Sequence, residues 1–311
     1  MRPAIIVHGG AGRVRDKVDE RLEVLQQAVS RGYKLLCDGA SALDAVVEAV
    51  VVMEDSGLLN AGLGCALTFD GEAELDAGVM DSGSGVIGAV AAVRRVKNPI
   101  LLARKVAELT DHLLLVGEGA EKFAEVLGLT VSKECLITSE KLARLEELKK
   151  RWMKGEDFTW LVKLRTLTVE YPDLFGTVGA AAVDKKGNTA AATSTGGYWL
   201  KLRGRVGDTP IPGAGFDALK GVGACSATGV GEAIIRYILC RKVCELMAKG
   251  FDARASTEEA IRRMSVEIGE GTAGVVAVDA CGNIGYAFNT EAMLVGYVKD
   301  GDVKATLLRR S

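Results

Sequence analysis

The chain has 311 residues, of which 48% are hydrophobic and 26% charged, and its formal net charge is −2. This composition is typical of a globular protein with a large core, and the mixed charge argues against nucleic acid or an anionic membrane as the main partner. Residues 43–53 form the longest apolar stretch, which contains two acids and is too short to span a bilayer. The first residues lack the long apolar run of a secretory signal, so we expect a cytoplasmic protein.

Cysteine and histidine content limits the possible chemistry. The seven cysteines are scattered without a C-x-x-C pair, which favours reduced thiols, and the only histidines are His8 and His112. Cys240 and Cys244 lie one helical turn apart, but two ligands do not make a zinc site. We expect this pair to be small buried structural residues, and we expect no organic cofactor.

The first half of the chain alternates strands, helices and glycine-rich turns. A strand over residues 4–8 should lead into a loop over 9–12, followed by a helix over 18–37. Ser41 is placed to cap a second helix over 42–54. A loop over 59–64, a hairpin over 67–75 with its turn at Asp70-Gly71, a buried strand over 86–93 and a helix beginning at Pro99 complete this half.

Residues 131 to 173 differ from the rest because lysine, glutamate and arginine dominate them. A helical piece is expected around 139–153, and the segment as a whole is interpreted as a solvated connector.

The buried pattern resumes after Gly176. Strands over 178–183 and 189–194 flank a polar turn and should form a hairpin. A strand over 223–228, helices over 231–249 and 256–268, the second capped by Ser256, and a hairpin with strands over 273–278 and 284–288 follow. Helices in both halves and strands rich in small apolar residues predict a four-layer αββα sandwich of two mainly antiparallel sheets.

The stretch Gly176-Thr177-Val178-Gly179 is the most informative part of the chain. A threonine at the head of a buried strand, between small residues, is an unusual choice for packing alone, although an ordinary strand start remains the alternative. If the Gly176–Thr177 bond is cut, Thr177 carries both a hydroxyl nucleophile and a free α-amine, whose ordinary pKa of about 7.7–8.0 suits a general base.

Three further polar groups follow within about 55 residues. Thr195 ends the strand that pairs with the Thr177 strand, so its hydroxyl should lie near Thr177. Arg205 and Asp208 could bind the carboxylate and ammonium of an amino acid, although a local salt bridge is the simpler alternative. Thr228 and Gly229 lie at a strand-to-helix turn, where they could stabilise an oxyanion or simply cap the helix.

Taken together, the run from Gly176 to Gly231 resembles the plant-type L-asparaginase/isoaspartyl aminopeptidase family of N-terminal nucleophile hydrolases. The amino-terminal half is similar to the same family in V-H-G-G-A-G at 7–12, S-A-L-D-A-V at 41–46, N-A-G-L-G at 60–64 and E-L-D-A at 74–77. Leu59 departs from the family, which usually has phenylalanine before this Asn-Ala-Gly.

The resemblance implies autocleavage into an α-subunit of residues 1–176 and a β-subunit of residues 177–311, which together form one structural domain, and a homodimer of such αβ units. It implies hydrolysis of the side-chain amide of L-asparagine and of the isopeptide bond of β-aspartyl dipeptides. The implied residues are Thr177 as nucleophile, Thr195 as its support, Thr228 and Gly229 as oxyanion hole, Arg205, Asp208 and Gly231 for substrate binding, and Asn60, Gly9 and Gly10 as supporting residues. Backbone carbonyls of the loop from Glu54 to Gly64 are implied to hold a structural sodium ion.

Three alternatives differ in a testable way. Glycosylasparaginase shares G-T-x-G and G-R-V-G-D but acts on glycosylated asparagine. An uncleaved, inactive protein of the same fold would keep residues 1–311 in one piece. A dinucleotide-binding protein would use Gly9–Gly12 as a phosphate loop, but the G-x-G-x-x-G spacing and the later acidic residue are missing.

Overall fold

Small apolar residues and short polar turns build the two sheets of this computed structural model, which describes residues 2–154, 176–299 and 301–310. Within these ranges the strands are β1 Ala4–Gly12, β2 Leu75–Asp81, β3 Ile87–Val93, β4 Leu114–Val116, β5 Val178–Val183, β6 Thr189–Thr195, β7 Phe216–Leu219, β8 Gly223–Gly229, β9 Ala273–Asp279, β10 Ile284–Phe288, β11 Ala292–Lys299 and β12 Asp302–Arg309. The α-helices are α1 Val18–Cys37, α2 Ala42–Asp55, α3 Pro99–Leu109, α4 Gly117–Val126, α5 Ser139–Met153, α6 Gly231–Tyr237, α7 Leu239–Ala248 and α8 Ala253–Glu267.

The strands form an eight-stranded sheet in the order β12-β11-β1-β5-β6-β2-β3-β4 and a four-stranded sheet in the order β10-β9-β8-β7. Neighbouring strands are antiparallel except β3 and β4, which are parallel. Strands β1, β5 and β6 of the large sheet pack on β8 and β9 of the small one, while α1, α2 and α3 cover the large sheet and α7 and α8 cover the small one. The predicted αββα sandwich is confirmed.

Three apolar cores separate the four layers. One lies between the large sheet and its helices, a second between the small sheet and α7 and α8, and a third between the two sheets. Alanine dominates the middle of β5 and β6, where Ala180 faces Ala192 and Ala182 faces Ala190. These small side chains allow α2 and the small sheet to approach the large sheet closely, because little volume has to be accommodated on either face.

Helix α2 begins as its sequence predicts. The Ser41 hydroxyl accepts from the backbone N–H of Asp44 at 3.1 Å, and the Asp44 carboxylate accepts in return from the backbone N–H of Ser41 at 3.2 Å. This reciprocal capping fixes the helix start. Its buried face, including Val46 and Val50, lies over β5 and β6, and the helix ends at the loop that leads to Asn60.

Several expected elements differ from the structure. Strand β1 runs on through Gly12 instead of ending at His8, because residues 11 and 12 pair with β11 after a bulge. The expected hairpin over 67–75 is reduced to a tight turn with a single Leu67–Ala73 bridge. Residues from Leu75 onward pair with β3 and β6 instead.

Two helix boundaries in the second half are also different. The expected single helix over 231–249 is broken at Ile238, whose φ of 56° is left-handed and separates α6 from α7. Helix α8 begins at Ala253 rather than near Ser256, because the Asp252 carboxylate accepts from the N–H of Ala255 at 2.7 Å and caps it. Ser256 is instead buried inside the helix.

The charged segment is only partly a solvated connector. Helix α5 forms where a helical piece was expected, and it buries Leu145 and Leu148 against the core around the large sheet. Residues 155–173, the rest of the expected connector, lie outside the described residues. Within the described ranges, no helix combines the length and apolarity needed to cross a bilayer.

Candidate active site

Thr177 lies at the centre of the large sheet, immediately before β5. That strand is hydrogen-bonded on one side to β1 and on the other to β6, with Gly179 opposite both His8 and Thr193. The side chain of Thr177 is buried, with 5% of its surface exposed. Two neighbouring strands and the small sheet beneath therefore hold the residue in place from three directions.

A chain of hydrogen bonds joins the predicted nucleophile to the peptide bond before it. The Thr177 hydroxyl donates to Thr195 Oγ1 at 3.3 Å, and the Thr195 hydroxyl donates to the Gly176 carbonyl oxygen at 2.9 Å. The backbone N–H of Gly197 also donates to Thr195 Oγ1, at 3.0 Å, which fixes the direction of that hydroxyl. Thr195 therefore contacts both the Thr177 hydroxyl and the carbonyl of the Gly176–Thr177 bond.

Asn60 supplies a second donor to the same carbonyl. Its Nδ2 donates to the Gly176 oxygen at 2.8 Å and also to the carbonyl of Gly197. Its Oδ1 accepts from the N–H of Ala66 at 2.8 Å, which orients the amide group. The expected supporting residue thus lies directly on the Gly176 carbonyl.

His8 is a residue of this site that the sequence reasoning set aside. It is fully buried, with Nδ1 3.1 Å from the Thr177 carbonyl oxygen and Nε2 2.8 Å from the Ser226 hydroxyl. Because a carbonyl only accepts, Nδ1 carries the proton, and Nε2 accepts from Ser226. Burial lowers the pKa of His8 to about 3, so the ring stays neutral and holds the nucleophile's backbone. The one sequence feature that could have identified His8 as a site residue is its position directly before the glycines of H-G-G-A-G.

Arg205 is held by partners that the sequence reasoning did not identify. Its Nε and Nη2 donate to the two carboxylate oxygens of Glu232, each at 2.9 Å, and its guanidinium lies 4.3 Å from the centre of the Tyr198 ring. The alternative of a local Arg205–Asp208 salt bridge is therefore wrong. The Nη1 group remains on the side of Gly197, where an added Cβ would come within 3.3 Å of it.

Asp208 is buried beside Arg205 with an unpaired oxygen. Within the described chain its Oδ2 has no hydrogen-bond partner, and burial raises the pKa of the carboxyl to about 7. An ammonium group at this position would supply the missing partner and favour the ionised form. Gly231 keeps the space open, since a Cβ there would come within 2.7 Å of Arg205 Nη2 and 3.0 Å of Asp208 Oδ1.

The remaining predicted residues surround the same small cleft. Gly229, with φ of 138°, turns the chain from β8 toward α6, while the fully buried Thr228 hydroxyl has no partner among the described residues. Gly10 packs on the Gly176–Thr177 junction, where an added Cβ would come within 3.4 Å of Gly176 Cα; Gly9 lies farther away, against Leu25 and Leu59. The cleft is lined by Gly176, Thr177, Thr195, Gly197, Tyr198, Arg205, Asp208, Thr209, Gly229 and Gly231.

The loop from Glu54 to Gly64 folds tightly enough to bring backbone carbonyls together. A Cβ on Gly64 would come within 2.0 Å of the Leu59 oxygen and 3.0 Å of the Gly57 oxygen, and a Cβ on Gly62 within 2.5 Å of the Glu54 oxygen. Both positions therefore require glycine, because backbone carbonyls of the same loop pass close to them. Backbone carbonyl oxygens are ligands of the kind that a hard cation binds.

Comparison with known proteins agrees with this geometry. The family described as Asparaginase matches residues 1–308. The chain is 48% identical over 301 residues to a plant-type L-asparaginase of Pyrococcus horikoshii, covering 96% of this chain and 97% of that protein. It is 42% identical over 302 residues to an isoaspartyl peptidase/L-asparaginase of Xenopus laevis (96% and 93% covered) and 39% identical over 316 residues to an isoaspartyl peptidase of Escherichia coli K12 (99% and 97% covered). The chain therefore belongs to the asparaginase family, as its motifs predict.

Proposed function

We propose that this protein is a threonine hydrolase that cuts its own Gly176–Thr177 bond and then hydrolyses L-asparagine and β-aspartyl dipeptides to release L-aspartate. The observation that carries the proposal is the Gly176 carbonyl. Its oxygen accepts from both Asn60 and Thr195, while the hydroxyl of the next residue contacts Thr195. Two donors on one peptide oxygen, beside a hydroxyl, are what an acyl shift requires.

Self-cleavage follows from these contacts. Thr177 Oγ1 attacks the Gly176 carbonyl carbon, and its proton passes toward Thr195 Oγ1. The oxygen of Gly176 becomes negative while Asn60 and Thr195 donate to it. The C–N bond then breaks, the nitrogen takes the proton that left Thr177 Oγ1 and was relayed through Thr195, and an ester joins Gly176 to the Thr177 oxygen. Water hydrolyses this ester, leaving a carboxylate on Gly176 and a free amine on Thr177.

Turnover uses the same hydroxyl with the newly formed amine as base. The Thr177 amine takes the proton as Oγ1 attacks the side-chain carbonyl of the substrate, and it returns the proton to the departing ammonia or amine. The unpartnered hydroxyl of Thr228 and the backbone of Gly229 are placed to stabilise the oxyanion, and one such donor contributes about 3 kcal/mol. Water then releases aspartate.

Recognition of the aspartyl part rests on Arg205 and Asp208. Glu232 occupies Nε and Nη2 of Arg205, which fixes the plane of the guanidinium and leaves Nη1 for the substrate's α-carboxylate. The unpaired Oδ2 of Asp208 suits the α-ammonium. Relatives named L-asparaginase and isoaspartyl peptidase support this substrate class, and they do not favour the glycosylasparaginase alternative.

The proposal is tested by following maturation and activity in one sample. Denaturing gels and intact mass should show fragments of residues 1–176 and 177–311, the second beginning T-V-G-A. Thr177→Ala should stay intact and fail to hydrolyse either substrate. An alanine variant that still splits at this bond, or an intact chain with full activity, would refute the proposal.

We also propose that the loop from Glu54 to Gly64 binds sodium through its backbone carbonyls, which would make rigid the loop that carries Asn60. The close approach of the Leu59 and Gly57 carbonyl oxygens to Gly64 supports this. The ion would supply only a structural link between carbonyls of the loop, since every proton in the reaction is moved by Thr177 and Thr195.

Assembly and compartment complete the proposal. We propose a homodimer of αβ units, for which the exposed apolar side chains of Leu113, Leu114 and Val116 at the β4 edge of the large sheet offer an interface. Sedimentation of the matured protein tests this.

A cytoplasmic location is supported by the seven cysteines, all of which are free thiols.

A further inference from the structure

A second, larger cavity adjoins the small cleft and has no role in the mechanism above. It measures about 610 Å³ and is lined in part by Gly10, Asn60 and Gly176. Gly176 also lines the cleft that holds Arg205 and Asp208. The two spaces therefore meet at Gly176, the residue before Thr177.

The cavity wall is predominantly basic. Six cationic side chains line it, against the two acids Asp16 and Glu140; the cations are Arg13, Arg15, Lys17, Arg21, Lys141 and Arg144. Three are already engaged: Arg13 with Glu291, Arg21 with Asp16, and Lys141 with the Leu136 carbonyl.

The other three cations are available to a ligand. Arg15 and Lys17 are exposed, and within the described chain neither has an ion-pair partner. Arg144 stacks over the Trp199 ring at 5.3 Å, which orients its charge without neutralising it. The cavity therefore carries an excess of positive charge beside the junction, which remains after cleavage because the new Gly176 carboxylate and Glu140 are outnumbered by the cations.

The orientation of the bound substrate decides which of its groups can contact this charge. With its α-carboxylate and α-ammonium on Arg205 and Asp208, the substrate places its side-chain carbonyl at Thr177, and the leaving group must extend away from those two residues. The basic cavity adjoins the cleft at Gly176 and offers space for that leaving group. Ammonia is too small to reach it, whereas the leaving residue of a β-aspartyl dipeptide carries a carboxylate that would enter it.

We propose that the basic cavity is a leaving-group subsite that binds the free carboxylate of β-aspartyl peptides. This inference rests on the proposed function and deepens it, because it predicts preference for isoaspartyl peptides with a free carboxylate over their amides. The chemistry is unchanged: the amide C–N bond breaks and the amine departs with the proton from Thr177. The cavity acts on binding and orientation of that amine.

The test compares three substrates on the matured enzyme: L-asparagine, β-aspartyl-alanine and β-aspartyl-alanine amide. The double variant Arg15→Glu/Lys17→Glu should lower kcat/KM for the free dipeptide about tenfold, since each exposed ion pair contributes modestly. Asparagine and the amide should change less than twofold. The double variant Lys220→Glu/Lys249→Glu, an equal charge change at two exposed positions outside the cavity lining, should alter none of the three.

A second measurement does not depend on the variant folding. In the wild-type enzyme, the ratio of kcat/KM for dipeptide over amide should fall as salt rises from about 50 to about 500 mM, because screening weakens the carboxylate contact. Equal kcat/KM for dipeptide and amide, or a salt-independent ratio, would overturn the inference, as would a double variant that slows self-cleavage but handles the dipeptide normally. Loss of asparagine hydrolysis in the wild type would instead count against the proposed function.

Discussion

Replacing Asn60 by alanine should slow self-cleavage while leaving the protein folded. The amide is one of two donors to the Gly176 carbonyl oxygen. Removing one oxyanion donor typically costs about 10²–10³ in rate. We therefore expect the half-time of maturation to lengthen by two to three orders of magnitude, roughly 100- to 1,000-fold.

The substitution should lower the free energy of unfolding by much less than the protein's total stability. Asn60→Ala also removes the bonds to the Gly197 carbonyl and from the Ala66 N–H. Each such bond contributes about 1 kcal/mol, so we expect a loss of about 2–3 kcal/mol from the free energy of unfolding. A domain with about 5–15 kcal/mol of stability remains folded after this loss.

The assay is a time course of cleavage by denaturing gel, started from freshly purified chain, with thermal melts on the same samples. Asn188→Ala is a matched control, because this half-buried asparagine binds Asp184 in the β5–β6 turn, at the other end of the hairpin from the site. It should mature at the wild-type rate. Maturation of Asn60→Ala within threefold of wild type would refute the role of Asn60 as a donor to the scissile carbonyl.

Three further predictions concern Asp208, His8 and the loop from Glu54 to Gly64. Burial raises the pKa of Asp208 from 3.8 to about 7, so KM for asparagine should rise as pH falls below about 7 and the carboxylate protonates; Asp208→Asn should raise KM and abolish this dependence in a pH series. The same raised pKa stabilises the folded chain only while the carboxyl is protonated, and this contribution is lost as pH rises toward 7, so melts above that pH should favour Asp208→Asn over wild type. His8→Gln should lower kcat about tenfold without moving the midpoint of the pH–rate profile, because the buried ring stays neutral; a shifted midpoint would mean that His8 titrates during turnover. Exchange of sodium for tetramethylammonium should lower both Tm and kcat, and identical melts in the two salts would argue against an ion in this loop.

Much of the fold was predictable from local sequence patterns. The Ser41 cap, the hairpin of β5 and β6 and helix α5 were each predictable because their signals lie within a few residues: a hydroxyl with an acid three positions on, alternating small apolar residues, and apolar residues at helical spacing. The αββα arrangement followed from the same local patterns.

Elements fixed by distant contacts were not predictable in this way. Strand β1 extends through Gly12 because β11, nearly three hundred residues away, pairs with it. The break at Ile238 is accompanied by distant backbone hydrogen bonds, since the N–H groups of Cys240 and Arg241 donate to the carbonyls of Ala214 and Gly213. Nothing in the local sequence demands a left-handed isoleucine. Asp252 caps α8 in place of Ser256, because its carboxylate lies one turn earlier and accepts from the free N–H of Ala255.

The site residues also fall into those predictable from local motifs and those identified only by distant contacts. The motifs brought Thr177, Thr195 and Asp208 to attention, and the structure places them around one cleft. Glu232 could not be assigned from sequence as the partner of Arg205, since the two are 27 positions apart and meet only across the β8–α6 turn. His8 was not predictable as a site residue, because a mechanism with an amine base needs no histidine for proton transfer. Only the structure shows its hydrogen bonds to the Thr177 carbonyl and to Ser226.

The most direct test of the central claim is to measure activity against the concentration of free Thr177 amino-termini as a single preparation matures. The account predicts that asparagine hydrolysis rises in proportion to that concentration and extrapolates to zero for the intact chain. Substantial hydrolysis at zero cleavage, or cleavage that proceeds to completion with no gain in activity, would contradict it.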